Sequence, residues 1–354
     1  MFKLNTNKIT TLKQHLLKRK KKMDPKMLLS EAAEALGVTS QALHNQLKRK
    51  NLSASKSRNR VYFGHAASRE LLGLNFHSQI MSFQIVKGGT GKTSLCLAVG
   101  IRACLYGART LLVDLDQQGN LTKACRIASH NKPIMIELIN QKIPIEDGIV
   151  SVFDGLDILP SRIENALLDS NLMLKRFPLD RVYKEMIFPL KKKYDLILID
   201  CPPALGSSVA AVALTSDKVI CPVTPSEFSL EGLEITKNEI KNIESNFRVS
   251  IPISPVLNEF DARTALSHET MRFLLANYDK NLIRSVVRKS QEFENVLTKG
   301  ISIFDTLQNT TAKEDVDLLT RELLGVGEFA FDYQNGKDNS LTEKAKPTHA
   351  METN

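Results

Sequence analysis

Apolar side chains recur at helical spacing in two short segments near the start of the chain. The first predicts a helix over residues 28–36 that Gly37 ends, and the second predicts a helix over residues 41–50 that Thr39 or Ser40 caps. Two short helices joined by a turn that contains glycine are typical of a helix-turn-helix unit.

A polar and basic stretch over residues 53–60 follows these helices, and a short strand at residues 61–63 comes next. This order predicts a small wing. A helix over residues 66–72 and a linker complete the segment, so we place a small helical, winged helix-turn-helix domain at residues 28–80. The alternative is a small helical module that serves only for packing or dimerisation.

Beyond residue 80 the pattern changes to short apolar runs separated by helical stretches. Strands that are apolar on both faces and alternate with helices indicate a parallel sheet covered on both sides. We therefore predict a doubly wound α/β domain with a mostly parallel sheet over residues 81–332. Its predicted strands lie at residues 83–86, 110–115, 156–159, 196–199, 219–223 and 253–257.

The two ends of the chain are polar. Residues 1–27 form a basic leader with some helical spacing of leucines. Residues 333–354 are rich in Asn, Lys, Thr and Pro and have little to bury, so we predict a disordered tail there.

Positive charge is concentrated near the N-terminus. The formal net charge of the 354 residues is +9, but the first 60 residues hold fifteen Lys or Arg against three acidic residues, so the remainder is slightly acidic. Such a basic block is either a solvated, flexible face or a source of attraction for nucleic acid.

The five cysteines are scattered, with no C-x-x-C pair, which argues against a zinc site or cluster and is typical of a reduced, cytoplasmic protein. No apolar run of signal-peptide or membrane-span length follows the N-terminus. We expect a cytoplasmic chain without membrane attachment.

A glycine-rich loop directly follows the first predicted strand and opens a predicted helix over residues 93–105. This context is typical of a phosphate-binding loop, because glycines let backbone N–H groups converge on phosphates at a helix N-terminus. In such a loop Lys92 would reach the β- and γ-phosphates and the Thr93 hydroxyl would ligate magnesium. The pattern thus predicts ATP and Mg²⁺ as cofactors. The loop consists of Lys87, Gly88, Gly89, Thr90, Gly91, Lys92, Thr93 and Ser94.

Three carboxylates end two buried strands. Asp114 and Asp116 close the second predicted strand and share one face of it, because side chains alternate along a strand. Asp200 closes the strand at 196–199 in the manner of a Walker B element, whose carboxylate holds magnesium directly or through water. The carboxyl edge of a parallel sheet is where ligands bind in this architecture.

These segments resemble the ParA-type partition ATPases. The loop reads K-G-G-x-G-K-T, the deviant phosphate loop of a family that also includes cell-division site-selection ATPases and the nitrogenase iron protein. Residues 114–120 resemble the family's D-x-D-P-Q-G-N, with Gln117 in place of proline, and the D-C-P-P at residues 200–203 resembles its D-x-P-P.

The resemblance implies a magnesium-dependent ATPase that converts ATP to ADP and phosphate. It implies that Lys87 reaches across a dimer interface to the partner's nucleotide, that Asp116 positions the attacking water and that Asp114 supports the magnesium site. The candidate catalytic residues are therefore Lys87, Lys92 and Asp116, and the candidate metal residues are Thr93, Asp114 and Asp200.

Two later motifs extend the resemblance over residues 83–305. Residues 222–233 resemble the family's P-x-x-x-E-x-x-x-L-x-G-L, and residues 261–264 resemble its D-x-R-T. The arginine of D-x-R-T helps relatives to bind DNA without sequence preference, which implies this role for Arg263, with a surface salt bridge as the alternative. Arg288 and Lys289 occupy places that are basic in relatives, but Glu292 replaces a further basic residue, which implies a rearranged DNA surface.

The second predicted helix carries side chains suited to DNA. Base-edge contacts suit Gln41, Asn45 and Gln46, and phosphate contacts suit Lys48 and Arg49. A helix-turn-helix ahead of the ATPase matches the longer, plasmid-type partition ATPases, which also bind and repress their own operator. The resemblance implies an ATP-dependent homodimer, operator and non-specific DNA, a centromere-binding ParB-like partner and a nucleoid-associated location.

Two related classes fit less well. The nitrogenase iron protein needs cysteines that hold a cluster, and the site-selection ATPases need a C-terminal amphipathic membrane helix, which residues 333–354 lack. Two function classes stay open: an ATP-driven DNA-segregation switch, and a transcriptional regulator in which ATP only sets the oligomeric state. The three carboxylates favour the first, since a ligand sensor needs no water-positioning carboxylate.

Overall fold

The computed structural model describes residues 23–329. The predicted tail at 333–354 and most of the predicted leader at 1–27 lie outside the described residues. Along the described chain, no helix is long and apolar enough to cross a bilayer.

The first part of the described chain holds three helices and a small antiparallel sheet. The sheet has the strand order β1-β3-β2. We call this part, residues 27–72, the N-terminal module. Its elements are β1 Met27–Leu28, α1 Leu29–Ala35, α2 Ser40–Arg49, β2 Ser55–Ser57, β3 Arg60–Phe63 and α3 His65–Leu72.

Helix α2 has the cap that the sequence predicts. The Thr39 hydroxyl accepts a hydrogen bond from the Ala42 N–H at 3.2 Å, which satisfies one of the free amides of the first turn. Leu43 and Leu47, four residues apart, are buried on one face. The predicted strand at 61–63 pairs with residues 55–57 and forms a hairpin with them. The first strand of this hairpin is polar, so the apolar pattern did not predict it.

A seven-stranded sheet forms the centre of the rest of the chain, in the order β10-β9-β4-β8-β5-β7-β6. All neighbouring strands are parallel except β6 and β7. The predicted α/β architecture with a mostly parallel sheet is therefore confirmed. The strands are β4 Gln79–Phe83, β5 Thr110–Asp114, β6 Val150–Phe153, β7 Leu156–Leu159, β8 Leu196–Asp200, β9 Lys218–Val223 and β10 Ile253–Leu257.

One predicted strand is misplaced, and one observed strand was not predicted. The strand predicted at 83–86 lies at Gln79–Phe83. The Val86 N–H donates to the Thr236 hydroxyl instead of a neighbouring strand. The apolar residues after Phe83 are therefore apolar because they are buried, and not because they pair in the sheet. The edge strand Val150–Phe153 was not predicted, since its short sequence lacks a continuous apolar run.

Helices cover both faces of this sheet, and the strand residues alternate between them. Leu112 and Leu198 belong to one hydrophobic cluster, whereas Leu111 and Ile197 belong to another, as the period of two requires. The helices are α4 Lys92–Leu105, α5 Asn120–Ala124, α6 Met135–Gln141, α7 Leu168–Leu174, α8 Lys184–Ile187, α9 Ser207–Thr215, α10 Glu227–Phe247, α11 Ala265–Tyr278, α12 Gln291–Lys299 and α13 Thr311–Leu324.

The N-terminal module shares a core with the sheet domain. Its buried residues Met27, Ala32 and Leu43 lie in the same hydrophobic cluster as residues of α4 and α13. Polar contacts reinforce this packing: Arg69 on α3 pairs with Asp195, just before β8, at 2.7 Å. The module therefore packs directly on the helix that follows the glycine-rich loop.

Candidate active site

The glycine-rich loop lies between β4 and α4 at the carboxyl edge of the sheet. Gly89 and Gly91 have φ angles of +74° and +88°, which glycine adopts without strain. Gly91 is the N-cap of α4, and its carbonyl accepts the Leu95 N–H at 2.9 Å. The first amides of the helix thus face the loop, the arrangement that binds anions at helix N-termini.

Lys92 is buried beneath this loop. Its ammonium group donates to the Lys87 carbonyl at 2.9 Å, across the span of the loop. Burial lowers the pKa of this ammonium, and the charge of Asp200 acts in the opposite direction. A positive charge held in a poorly solvated loop is suited to bind phosphate oxygens.

Thr93 and Asp200 meet at the start of α4. The Thr93 hydroxyl donates to Asp200 Oδ2 at 2.7 Å, although the two residues are 107 positions apart. Within residues 23–329, Asp200 Oδ1 is buried and has no hydrogen-bond partner. Burial, and then the charge of Asp114, raise the pKa of Asp200 well above its usual range.

Asp114 lies beside Asp200, because the two residues are register partners on adjacent parallel strands. Asp114 Oδ2 accepts hydrogen bonds from the hydroxyl and the N–H of Thr122, at 2.6 and 2.9 Å. Burial raises the pKa of Asp114 to about 7 despite these bonds. No sequence motif singles out Thr122, which holds Asp114 from the first turn of α5.

Asp116 lies just beyond the end of β5 and is also mostly buried. Its Oδ1 accepts the N–H of Gln118 at 2.9 Å, and its own N–H donates to Asp114 Oδ1 at 3.2 Å. These contacts fix the turn that Asp116 begins, which continues through Gln117 and Gln118. The predicted residues thus lie together at the carboxyl edge of the sheet: Lys92, Thr93, Asp114, Asp116 and Asp200.

The residues at this edge fit a magnesium ion. The ion prefers oxygen ligands and usually keeps several waters and phosphate oxygens, with only one or two protein ligands. Thr93 and Asp200 supply such oxygens, and the unpartnered Asp200 Oδ1 is a free acceptor. In the described part of the chain, no cluster of three or more His, Cys, Asp or Glu could hold a metal by itself.

Lys87, at the start of the loop, is exposed. Its ammonium lies 5.2 Å from the centre of the Phe228 ring, and Phe228 itself is 68% exposed. Gly232 on α10 lies against the Lys87 side chain, where an added Cβ would come within 2.9 Å. The motif around Gly232 therefore packs closely on the loop and leaves the Lys87 ammonium at the surface.

The predicted DNA-contacting residues of α2 lie on one exposed surface, away from the buried Leu43 and Leu47. The Gln41 amide donates to Asn45 Oδ1 at 3.1 Å, so these two side chains are arranged together. The exposed predicted residues are Gln41, Asn45, Gln46, Lys48 and Arg49.

The predicted non-specific DNA residues differ in their surroundings. Arg263 is 88% exposed in its side chain and forms two hydrogen bonds with Asp261, at 2.9 and 2.7 Å. The Lys289 N–H donates to the Phe260 carbonyl, so Lys289 lies beside the Asp261–Arg263 loop. The Arg288 guanidinium is bound to the buried Asp315, at 2.6 Å.

Comparisons with known proteins agree with this site. Residues 78–253 match the family model described as an AAA domain. The chain is 25% identical over 308 residues to the cell division protein PomZ of Myxococcus xanthus, which covers 83% of this chain and 91% of PomZ. It is 28% identical over 248 residues to the virulence plasmid ParA family protein pGP5-D of Chlamydia psittaci, which covers 69% of this chain and 93% of that protein.

A solved structure has the same fold. The ATP complex of a McdA variant from Cyanothece superposes with a TM-score of 0.64 and 19% identity, covering 71% of this chain and 98% of McdA. The glycine-rich loop and the three carboxylates all lie within the residues that the family model matches.

Proposed function

We propose that the chain is a partition ATPase that binds ATP with Mg²⁺, dimerises on it, binds DNA as a dimer and hydrolyses ATP to segregate a DNA molecule. The observation that carries the proposal is the convergence of a buried lysine, a hydroxyl and three carboxylates on one glycine-rich loop. The likeness to the plasmid ParA family protein of Chlamydia psittaci supports the same role.

Each residue has a distinct task in this proposal. The loop amides and Lys92 bind the phosphates, and the Thr93 hydroxyl and Asp200 hold Mg²⁺, which neutralises phosphate charge when bound. Asp114 supports Asp200 from the adjacent strand. Asp116, whose N–H donates to Asp114, orients the attacking water and accepts its proton.

Lys87 connects nucleotide binding to dimerisation. Its exposed ammonium lies next to the loop and suits contact with the nucleotide of a second subunit. If ATP lies between two subunits, nucleotide binding and dimerisation are thermodynamically linked, and each strengthens the other. The exposed aromatic ring of Phe228 beside Lys87 is apolar surface that a dimer would bury.

DNA binding is assigned to two surfaces. Arg263 and Lys289 supply non-specific contacts to phosphates, and the affinity of a dimer rises steeply because it neutralises twice as many of them. The exposed surface of α2 reads an operator, so the chain represses its own gene. A ParB-like partner at the centromere stimulates hydrolysis, and the protein works in the cytoplasm on the nucleoid.

Two observations support a second function. The base-reading side chains of α2 are all exposed, and the N-terminal module packs on the helix that follows the loop. A transcriptional regulator whose DNA binding responds to ATP would use the same arrangement without segregating DNA. Loss of a plasmid or chromosome from cells that lack the chain separates the two functions, because only the segregation switch predicts it.

The experiment that tests the switch uses Lys87→Ala, with Lys175→Ala as a control at an exposed lysine. Sedimentation with ATP and Mg²⁺ reports dimerisation, and retardation of arbitrary DNA at two salt concentrations reports coating. We expect Lys87→Ala to lose both while it still binds nucleotide through Lys92. A Lys87→Ala protein that dimerises and coats DNA like the wild type overturns the switch.

A further inference from the structure

A buried asparagine holds the glycine-rich loop from outside. Asn258 follows β10 and is 4% exposed, and its Nδ2 donates to the Thr90 carbonyl at 2.9 Å. The contact joins residues 168 positions apart in the sequence. Asn258 lies outside every sequence motif that identifies the loop.

The Thr90 carbonyl and the Gly91 N–H belong to one planar, trans peptide unit, so they point in opposite directions. Asn258 fixes the carbonyl on its own side of the loop. The Gly91 N–H is therefore directed away from Asn258, and in the part of the chain described it donates to no protein group. An unpaired, fixed N–H in a glycine-rich loop is a donor for a phosphate oxygen.

Gly91 and Asn258 are fitted to each other. A Cβ on residue 91 would lie 2.2 Å from Asn258 Nδ2, and the Gly91 φ of +88° disfavours a side chain in any case. The loop therefore needs glycine at position 91 both for its conformation and for the close approach of the amide. Asn258 occupies the space that this glycine leaves.

The backbone around Asn258 is fixed on both sides. Its N–H donates to the Val223 carbonyl of β9 at 2.8 Å, and the Phe260 N–H donates to the Val287 carbonyl at 3.0 Å. Glu259 between them has a φ of +57°, a conformation that side-chain-bearing residues seldom adopt. The turn thus places the Asn258 amide at the loop while the chain continues to Asp261 and Arg263.

We propose that Asn258 is a positioning residue for the phosphates: its amide sets the Thr90–Gly91 peptide so that the Gly91 N–H faces the bound nucleotide. The role rests on the proposed function, since it concerns the same nucleotide site. Asn258 touches the loop and acts through Gly91. A donor oriented in this way binds ATP and ADP alike, because both carry the inner phosphates.

The test compares Asn258→Ala and the isosteric Asn258→Asp with the wild type. The control is Asn277→Ala, because Asn277 also donates its amide to a backbone carbonyl, that of Phe273, but on α11. Calorimetric titration with ATP and with ADP, well below the unfolding temperature, gives the dissociation constants. Steady-state kinetics separates KM from kcat.

We expect both Asn258 variants to weaken ATP and ADP by a similar factor of about 10 to 100, the effect of one hydrogen bond to a charged group. KM should rise while kcat changes less than about threefold. This pattern is expected when a mutation weakens binding of the substrate and of the transition state by the same amount. Asn277→Ala should leave both constants unchanged. Asn258 variants that melt earlier but keep wild-type dissociation constants overturn the positioning role and leave the proposed function intact. A wild type that binds neither nucleotide overturns both.

Discussion

The guanidinium of Arg102 lies 2.9 Å from the carboxylate of Glu31 and joins the N-terminal module to the helix that begins at the glycine-rich loop. The Arg102 side chain is only 2% exposed, and a second carboxylate, that of Asp317 on α13, accepts its Nε–H at 2.6 Å. Tyr106 donates its hydroxyl to the same Asp317. One buried cation thus connects three parts of the fold.

The first prediction follows from this contact. Arg102→Met should cost about 3–5 kcal/mol of unfolding free energy, because it leaves two carboxylates without their partner. Glu31→Gln keeps a hydrogen-bond acceptor, so it should cost only about 1–2 kcal/mol. Urea unfolding followed by circular dichroism measures both. An Arg102→Met protein as stable as Glu31→Gln would show that the ion pair does not hold the module.

The second prediction concerns Thr122. Thr122→Val removes the hydroxyl that donates to Asp114 and leaves the side-chain volume nearly unchanged. Because Asp114 is buried beside Asp200, we expect weaker Mg²⁺-dependent nucleotide binding, by about tenfold, the effect of one lost bond to a charged group. Titration of ATP at a series of Mg²⁺ concentrations measures it, with Thr122→Ser as the control that keeps the hydroxyl. Equal behaviour of the two variants would contradict the supporting role of Thr122.

The third prediction separates two arginines. Arg263 is 88% exposed and pairs with Asp261 at the surface, whereas Arg288 is bound to the buried Asp315. Arg263→Ala should weaken non-specific DNA binding and reduce its salt dependence with little loss of stability. Arg288→Ala should instead lower the unfolding free energy by about 1–3 kcal/mol, because the buried Asp315 loses its guanidinium partner and keeps only the backbone N–H of residue 288.

DNA retardation at several salt concentrations, together with urea unfolding, distinguishes these outcomes. Lys289→Ala should behave like Arg263→Ala, since Lys289 is also exposed beside that loop. The assignment of the DNA surface is wrong if Arg288→Ala weakens DNA binding more than Arg263→Ala while the protein remains as stable as the wild type.

The fourth prediction concerns the surface of α2. Selection from random duplexes should yield a preferred sequence for the wild type. Asn45→Ala should then cost about 1–3 kcal/mol of binding free energy at one base pair, whereas Lys48→Ala should weaken all sequences alike and lower the salt slope by about one. Wild-type protein that enriches no sequence would exclude operator reading by this helix.

Much of the fold and of the loop could be predicted from local signals. Apolar runs located five of the six predicted strands, because parallel strands buried on both faces are apolar at nearly every position. The loop and Asp200 were identified because glycines, a lysine and a strand-ending carboxylate are needed at fixed spacing. The strand at 83–86 was misplaced because Ile85 is buried outside the ladder.

Contacts between distant segments could not be predicted in this way. Thr122 and Asn258 act through side-chain bonds to Asp114 and to the Thr90 carbonyl, and no local pattern relates the members of either pair. Likewise, the sequence placed a linker between the module and the sheet domain, but only the fold shows that Arg102 meets Glu31. Long-range partners depend on topology, which periodicity does not specify.

The most direct test of the account is ATP turnover by Asp116→Ala. Asp116 contacts Asp114 and Gln118 through its turn, but it holds neither the loop nor Thr93, so its loss should spare nucleotide binding. Titration with ATP and Mg²⁺, followed by release of labelled phosphate from the saturated protein, gives affinity and rate on one sample. The account predicts an ATP dissociation constant within about threefold of the wild type and a rate lower by at least about 100-fold, as removal of a general base requires. Hydrolysis by Asp116→Ala at the wild-type rate would contradict it.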